Sequence, residues 1–257
     1  MLVNQTIDRL RELRLLGMIR ELEIQNQTPK YLELSFDERL GFIVDREATE
    51  RQNRRYMRRI KDARLKEMAL IEDVDWRQSR QLDKSVFMSL ASCQWIREHQ
   101  NIIFTGKTGA GKSWLSCALA ERACQEGFSV YFVRIRRFFD DLASSRLDGT
   151  YARLRSMLAR QDVLILDDWG QKLVEAERRE LAEVVDDRVG SGSLIITSQI
   201  PINKWHEVIG DPSVADSILD RIVHRAHQVP LSGDSLRGEY QSPGRAQRAP
   251  SDQRKNK

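Results

Sequence analysis

The chain has 257 residues, 40% of them hydrophobic, enough for one well-buried α/β domain and a smaller appendage. No apolar run approaches the roughly eighteen residues of a membrane span, and the charged, amphipathic start MLVNQTIDRLRELRLLG has no signal-peptide cleavage pattern, so a cytoplasmic, non-membrane protein is expected. The net charge of +4 is local: residues 241–257, QSPGRAQRAPSDQRKNK, hold five basic residues and one acidic one, leaving 37 charges of each sign elsewhere.

The first 98 residues read as helix. Ile7, Leu10, Leu13 (or Arg14) and Met18 form one apolar stripe, and Leu40, Ile43 and Val44 another. A helical N-terminal domain over residues 1–75 and a helical linker over 76–98 are expected. Between Arg51 and Lys66, eight basic side chains face a single acid, Asp62. Arg51, Arg54, Arg55, Arg58 and Arg59 recur at helical spacings and make a broad cationic face suited to phosphate oxygens, although taken alone such a face is more simply a solvated one.

Beyond residue 98, short apolar runs alternate with helical segments: NIIFTG, SVYFVRI, DVLILDD, GSLIITSQ and HQVPL. Five strands spaced by helices predict an α/β domain over residues 99–240, a five-stranded parallel sheet with helices on both faces. Cys93, Cys117 and Cys124 form no CxxC pair and read as buried thiols. His224 and His227 lack a third ligand in pattern, so no metal site is read there. Residues 241–257 lack the bulky apolar groups that offset the entropy of ordering, which predicts a disordered basic tail, either solvated or touching nucleic acid.

The segment GKTGAGKS, Gly106, Lys107, Thr108, Gly109, Ala110, Gly111, Lys112 and Ser113, has the spacing G-x-x-x-x-G-K-S between a predicted strand and a predicted helix, with Trp114 next. The glycines allow consecutive amides to turn toward a phosphate, and the helix N-terminus adds its partial positive charge. Lys112 is placed for the β- and γ-phosphates of ATP and Ser113 for Mg2+. A second element, VLILDD, ends in Asp167, suited to the magnesium shell, and Asp168, suited to the attacking water. Two acids there can also cap the following turn. Together the segments imply ATP hydrolysis, with slow turnover because aspartate at the second position is one methylene shorter than glutamate.

The segments GKTGAGKSWLSCALAERACQEG, LILDDWG, IITSQIPINKWHEVIGDPSVADSILDRIVHRAH and GDSLR resemble the IstB family of transposition helper ATPases, a branch of the AAA+ ATPases related to DnaC helicase loaders. The resemblance runs from Leu10 to Arg237, and LSFDERLGFIVDREATERQNRRYMRRIKDARL is similar to that family's helical domain. It implies an ATP-dependent homo-oligomer that binds double-stranded DNA and prepares it for a transposase encoded by the same element. In that context the arginines from Arg51 to Arg59 become phosphate-backbone contacts, largely insensitive to base sequence because no base-reading motif is present.

The same resemblance assigns further roles. Thr197, Ser198 and Gln199 match a sensor of the γ-phosphate, with Gln199 foremost, although a strand-end polar cluster can also cap a helix. Arg221 matches an arginine presented to a neighbouring subunit's nucleotide, with Arg225 as the alternative, and Arg237 matches a second sensor. Lys107 stands where the family more often has proline. The polar residues after Arg237 leave no room for a full three-helix C-terminal lid. A helicase loader uses the same ATPase core and is the alternative reading. A small-molecule kinase is remote, since no segment suits a mobile arginine-bearing lid.

Overall fold

A computed structural model describes residues 2–76 and 81–233. In chain order, α1 (Leu2–Glu12), α2 (Leu16–Gln27), α3 (Phe36–Ala63), α4 (Lys84–Ala91) and α5 (Gln94–Arg97) precede the first strand. The sheet region then alternates β1 (Asn101–Gly106), α6 (Lys112–Gln125), β2 (Val130–Arg134), α7 (Ile135–Leu147), α8 (Tyr151–Ala159), β3 (Val163–Trp169), α9 (Glu175–Arg188), β4 (Ser193–Ser198), α10 (Trp205–Ile209), α11 (Pro212–Val223) and β5 (Ala226–Leu231). All four strand pairings are parallel, in the order β2-β3-β4-β1-β5, so the five expected strands are present.

Side-chain alternation divides the core. Ile102, Phe104, Val130, Phe132, Val163, Ile165 and Ile195 face one apolar layer with α6, whereas Ile103, Val133, Leu164, Leu166, Leu194 and Ile196 face another with α7, α9, α10 and α11. Burial on both faces is why these strands read as continuous apolar runs. Residues of the N-terminal half enter the first layer: Ala63, Ala69, Ile71, Val74 and Phe87 are buried there.

The N-terminal region departs from the helical reading in three places. The first stripe is split, because α1 ends at Glu12 and Arg14 takes a positive φ of 57° before α2 begins. The second stripe is not a buried one: Leu40 and Val44 are exposed and Ile43 is half-buried. After α3, which starts at a Ser35–Glu38 capping box and ends with Arg64 in the left-handed region, residues 65–76 run irregularly apart from one 3-10 turn at Ile71–Asp73. Of the expected helical linker, Trp76 and residues 81–83 are non-helical, residues 77–80 lie outside the described residues, and α4 begins at Lys84.

Among the described residues no helix is long and apolar enough to cross a membrane. Cys93, Cys117 and Cys124 are free and buried. Arg237 and residues 241–257 lie outside the described residues.

Candidate nucleotide site

The site lies where the strands end. Residues two apart along a strand share a face, so Asp167 continues the row of Val163 and Ile165, Thr197 that of Ile195, and Gly106 that of Phe104, all on the α6 side. A cleft of about 480 Å³ opens there, lined by Thr108, Gly109, Gly111, Lys112, Ser113 and Trp114 from the glycine loop and by Asp167, Asp168, Thr197 and Gln199 from the strand ends.

The loop has the backbone expected of a phosphate cradle. Gly109 and Gly111 sit at φ 86° and 85°, a region where side chains are strained, and Gly111 is the N-terminal boundary of α6. Lys112 is buried, and its ammonium donates to the carbonyls of Gly106 (2.6 Å) and Lys107 (2.8 Å), which folds the loop around it. Lys107 contributes that carbonyl while its residue is exposed, and Ala110 is buried beneath the loop.

Asp167, 2% exposed, joins the two halves. Its Oδ1 accepts from the Ser113 hydroxyl at 2.6 Å and from the Thr197 hydroxyl at 2.7 Å. A buried carboxylate beside a helix-initiating hydroxyl is an all-oxygen donor set, and it suits a hard cation that takes its remaining ligands from substrate phosphates and water. Mg2+ fits these residues.

Strict alternation would send Asp168 to the opposite face. A register irregularity between Leu166 and Trp169, with Asp168 at φ 67°, returns it to the cleft and sends Trp169 into the far layer beside Trp205. There the Asp168 amide donates to Thr197 Oγ1 (2.9 Å) and its carboxylate accepts from Gln199 Nε2 (3.1 Å), while the Gln199 carbonyl accepts from the Thr108 hydroxyl (2.7 Å). Ser198 has no such bulge and stays on the far face. It is fully buried, donates to the carbonyls of Trp169 and Ile200, and braces the strand end rather than meeting the cleft.

Arg221 is not at its own chain's cleft. Its carbonyl accepts from Asn101 Nδ2 at the start of β1, about 17 Å along that strand from Gly106. Its guanidinium pairs with Asp186 (2.6 Å) and donates to the Ser217 carbonyl (2.8 Å) and hydroxyl. Arg225 lines the same distant end. His227 pairs with Gln100 at 2.6 Å, and among the described residues no three His, Cys, Asp or Glu converge as a metal cluster.

The α3 arginines point in different directions. Arg51 (2.7 Å) and Arg54 (3.2 Å) donate to buried Glu47, whose other oxygen accepts from the Gly17 amide at 2.7 Å. Burial opposes ionisation of Glu47, yet the bonds from Arg51 and from the Gly17 and Met18 amides hold its pKa below the usual value of 4.5. Arg59 faces Gly127 on the side of the sheet region, while Arg55 and Arg58 project outward, Arg58 within 3.7 Å of Asp62.

Five cleft residues were not singled out from the sequence: Lys66, Glu67, Asp73, Asp75 and Arg134. The first four come from the irregular segment after α3, and no local pattern marks them. Arg134 closes an apolar strand, and the pairing of that strand with β3 is the signal that would have found it.

A family profile described as IstB-like ATP binding protein matches residues 8–243. The insertion-sequence ATP-binding protein y4pL of Sinorhizobium fredii is 45% identical over 238 residues, covering 92% of this chain and 97% of that protein. The ATP-binding protein of insertion sequence IS1162 from Pseudomonas fluorescens is 46% identical over 203 residues, 78% of this chain and 88% of that protein. Among solved structures, DnaI is similar with a TM-score of 0.55 at 20% identity over 64% of this chain and 91% of that one. AMPPCP-bound DnaA from Aquifex aeolicus reaches 0.56 at 18% over 66% of this chain and 52% of that one. These two likenesses establish the AAA+ P-loop fold.

Proposed function

The chain belongs to the IstB-like ATP-binding family of insertion sequences, and from that premise we propose that it hydrolyses ATP as a DNA-bound homo-oligomer and prepares target DNA for the transposase of its element. The observation that carries the reading is the Ser113–Asp167 contact, which welds the phosphate loop to an acidic strand end, with Asp168 turned to the same rim. A loop alone binds phosphate. A loop joined to two carboxylates and a strand-end amide has the parts for cleavage.

On this reading the loop amides and Lys112 hold the β- and γ-phosphates, and Ser113 and Asp167 hold Mg2+. Bound magnesium supplies charge neutralisation across the phosphate oxygens. Asp168 accepts a proton from water as the water oxygen bonds to the γ-phosphorus, and the bond to the β,γ-bridging oxygen breaks to give ADP and phosphate. Gln199 orients that water or the γ-phosphate once it releases Asp168. Arg221, remote from its own cleft, serves the cleft of a neighbouring copy, so hydrolysis depends on assembly. The helical region, residues 1–75, contacts duplex DNA through phosphates with little regard to sequence, Arg55 and Arg58 foremost.

The test is direct visualisation of the purified protein with and without duplex DNA and a non-hydrolysable ATP analogue. Assembly on DNA that requires the analogue is the expected result. A discrete small monomer under every condition would overturn the proposal.

A further inference from the structure

Arg134 is the last residue of β2, and its position follows from parity and register. It continues the row of Val130 and Phe132 on the α6 face and pairs directly with Asp167 across β3. Phe104 of β1 pairs with Thr197 of β4, and β4 lies between β1 and β3. One row thus crosses the C-terminal rim of the sheet: Arg134, Asp167, Thr197 and the start of the glycine loop. Adjacent strands stand about 4.8 Å apart, so the Arg134 backbone is one strand spacing from the backbone of Asp167, whose carboxylate accepts from Ser113. An extended arginine reaches farther than that spacing.

Arg134 lines the cleft and is exposed. Glu67, Asp73, Asp167 and Asp168 line the same cleft, yet among the described residues Arg134 forms no hydrogen bond or ion pair with any of them. A planar cation held at the rim of a phosphate cleft, and not engaged by those four carboxylates, is available to an anion entering from solvent. Lys112 lies over the loop end of the row, where its ammonium meets the Gly106 and Lys107 carbonyls, and Arg134 ends the strand on the far side of Asp167. A nucleotide whose β-phosphate sat in the loop would direct its terminal phosphate toward Ser113 and Asp167, into the reach of an extended arginine on the neighbouring strand.

We propose that Arg134 is a catalytic residue acting within its own chain, contacting the γ-phosphate of ATP and stabilising the charge that develops on its equatorial oxygens as the bond to the bridging oxygen breaks. The inference rests on the reading of the cleft as an ATP hydrolysis site and extends it. ADP has no γ-phosphate, so the contact discriminates between substrate and product. It also differs from the role of Arg221, which requires a second copy.

The experiment compares the full chain with Arg134→Ala and with Arg134→Gln, which keeps a polar side chain without charge. Fluorescent ADP and a fluorescent non-hydrolysable ATP analogue are titrated with magnesium, and hydrolysis is measured with duplex DNA present. Both variants should bind ADP within about twofold of wild type, lose about tenfold in affinity for the ATP analogue, and hydrolyse at least about tenfold more slowly. Arg134→Lys should recover part of the analogue affinity. Equal effects on both nucleotides, or none, would overturn the inference, as would unchanged nucleotide binding with weakened DNA binding, which would make Arg134 a DNA contact. Binding of neither nucleotide by the wild type would instead sink the underlying ATP reading. A thermal unfolding curve shows whether each variant is folded.

Discussion

Asp168 owes its place to the backbone as much as to its side chain. Left-handed φ is tolerated by aspartate and asparagine better than by most residues, so Asp168→Asn should keep the bulge and the cleft while removing the proton acceptor. Nucleotide binding should be retained and hydrolysis slowed by about 10²-fold or more, with ATP-bound assemblies persisting. A wild-type rate would assign the water to another residue. Lys112→Ala should act earlier, abolishing measurable binding of a fluorescent ATP analogue, since it removes both the fixed cation and the group that folds Gly106 and Lys107 inward. Unchanged affinity would leave the loop without a ligand role. The three buried thiols provide an independent check on packing. Burial pushes Cys93 and Cys117 up to about 11 and Cys124 up to about 12, so at pH 8 each is protonated and shielded. A disulfide-exchange reagent should label none quickly in the folded chain and all three in denaturant.

Between elements, α2 packs closely on α3. A Cβ on Gly17 would stand 2.6 Å from the Glu47 Cα, a clash with backbone that no rotamer relieves. Gly17→Ala should therefore destabilise the helical region by about 1–3 kcal/mol, visible as a lower urea midpoint. The same seam sets a pH dependence. Because folding lowers the Glu47 pKa, its stabilisation is present above 4.5 and is lost as pH falls through the folded-state value. The urea midpoint should drop on acidification below that range, and the drop should shrink in Glu47→Gln, which is already weakened at pH 7. Arg55→Ala with Arg58→Ala tests the outward side of α3. DNA affinity should fall alike for unrelated sequences, and the salt slope should flatten by about 0.9 for each phosphate that the helix no longer neutralises. No change in either would leave that helix a solvated face. What was legible in the sequence at this scale follows from local pattern. NIIFTG and VLILDD announced strands because both their faces are buried, and GKTGAGKS carries its geometry in its own glycines. Ser198 was misplaced because it was grouped with Thr197 and Gln199 as one polar cluster, although alternation with Leu194 and Ile196 along its own strand sends it to the far face. Arg134 was passed over because its place depends on register, and Lys66 to Asp75 because they reach the cleft by tertiary packing alone.

For the molecule as a whole, the separation of Arg221 from its own cleft is the fact to test. Its pairing with Asp186 is partly exposed, so Arg221→Ala should cost little stability. Nucleotide affinity should hold while hydrolysis falls by about 10³-fold, the scale seen when an arginine supplied by a neighbour is removed. Mixing Arg221→Ala with Lys112→Ala, each inactive alone, creates some interfaces where an intact loop meets an intact arginine. Activity should return across mixing ratios when DNA is present and subunits exchange. No recovery at any ratio would place Arg221 outside a shared site.

Placing the cleft at one end of β1 and Arg221 at the other gives each copy a donor end and an acceptor end. On the shared-site reading, a two-fold pair that brings like ends together completes neither cleft. The productive arrangement is head to tail, and such arrangements propagate in one direction until they close on themselves or stop. An open row of n copies then has n − 1 completed clefts and one idle at its end. Turnover per copy climbs with row length as 1 − 1/n, steeply at first and then hardly at all, so activity becomes a gauge of how far the row has grown, and a ring differs from a long row by one cleft.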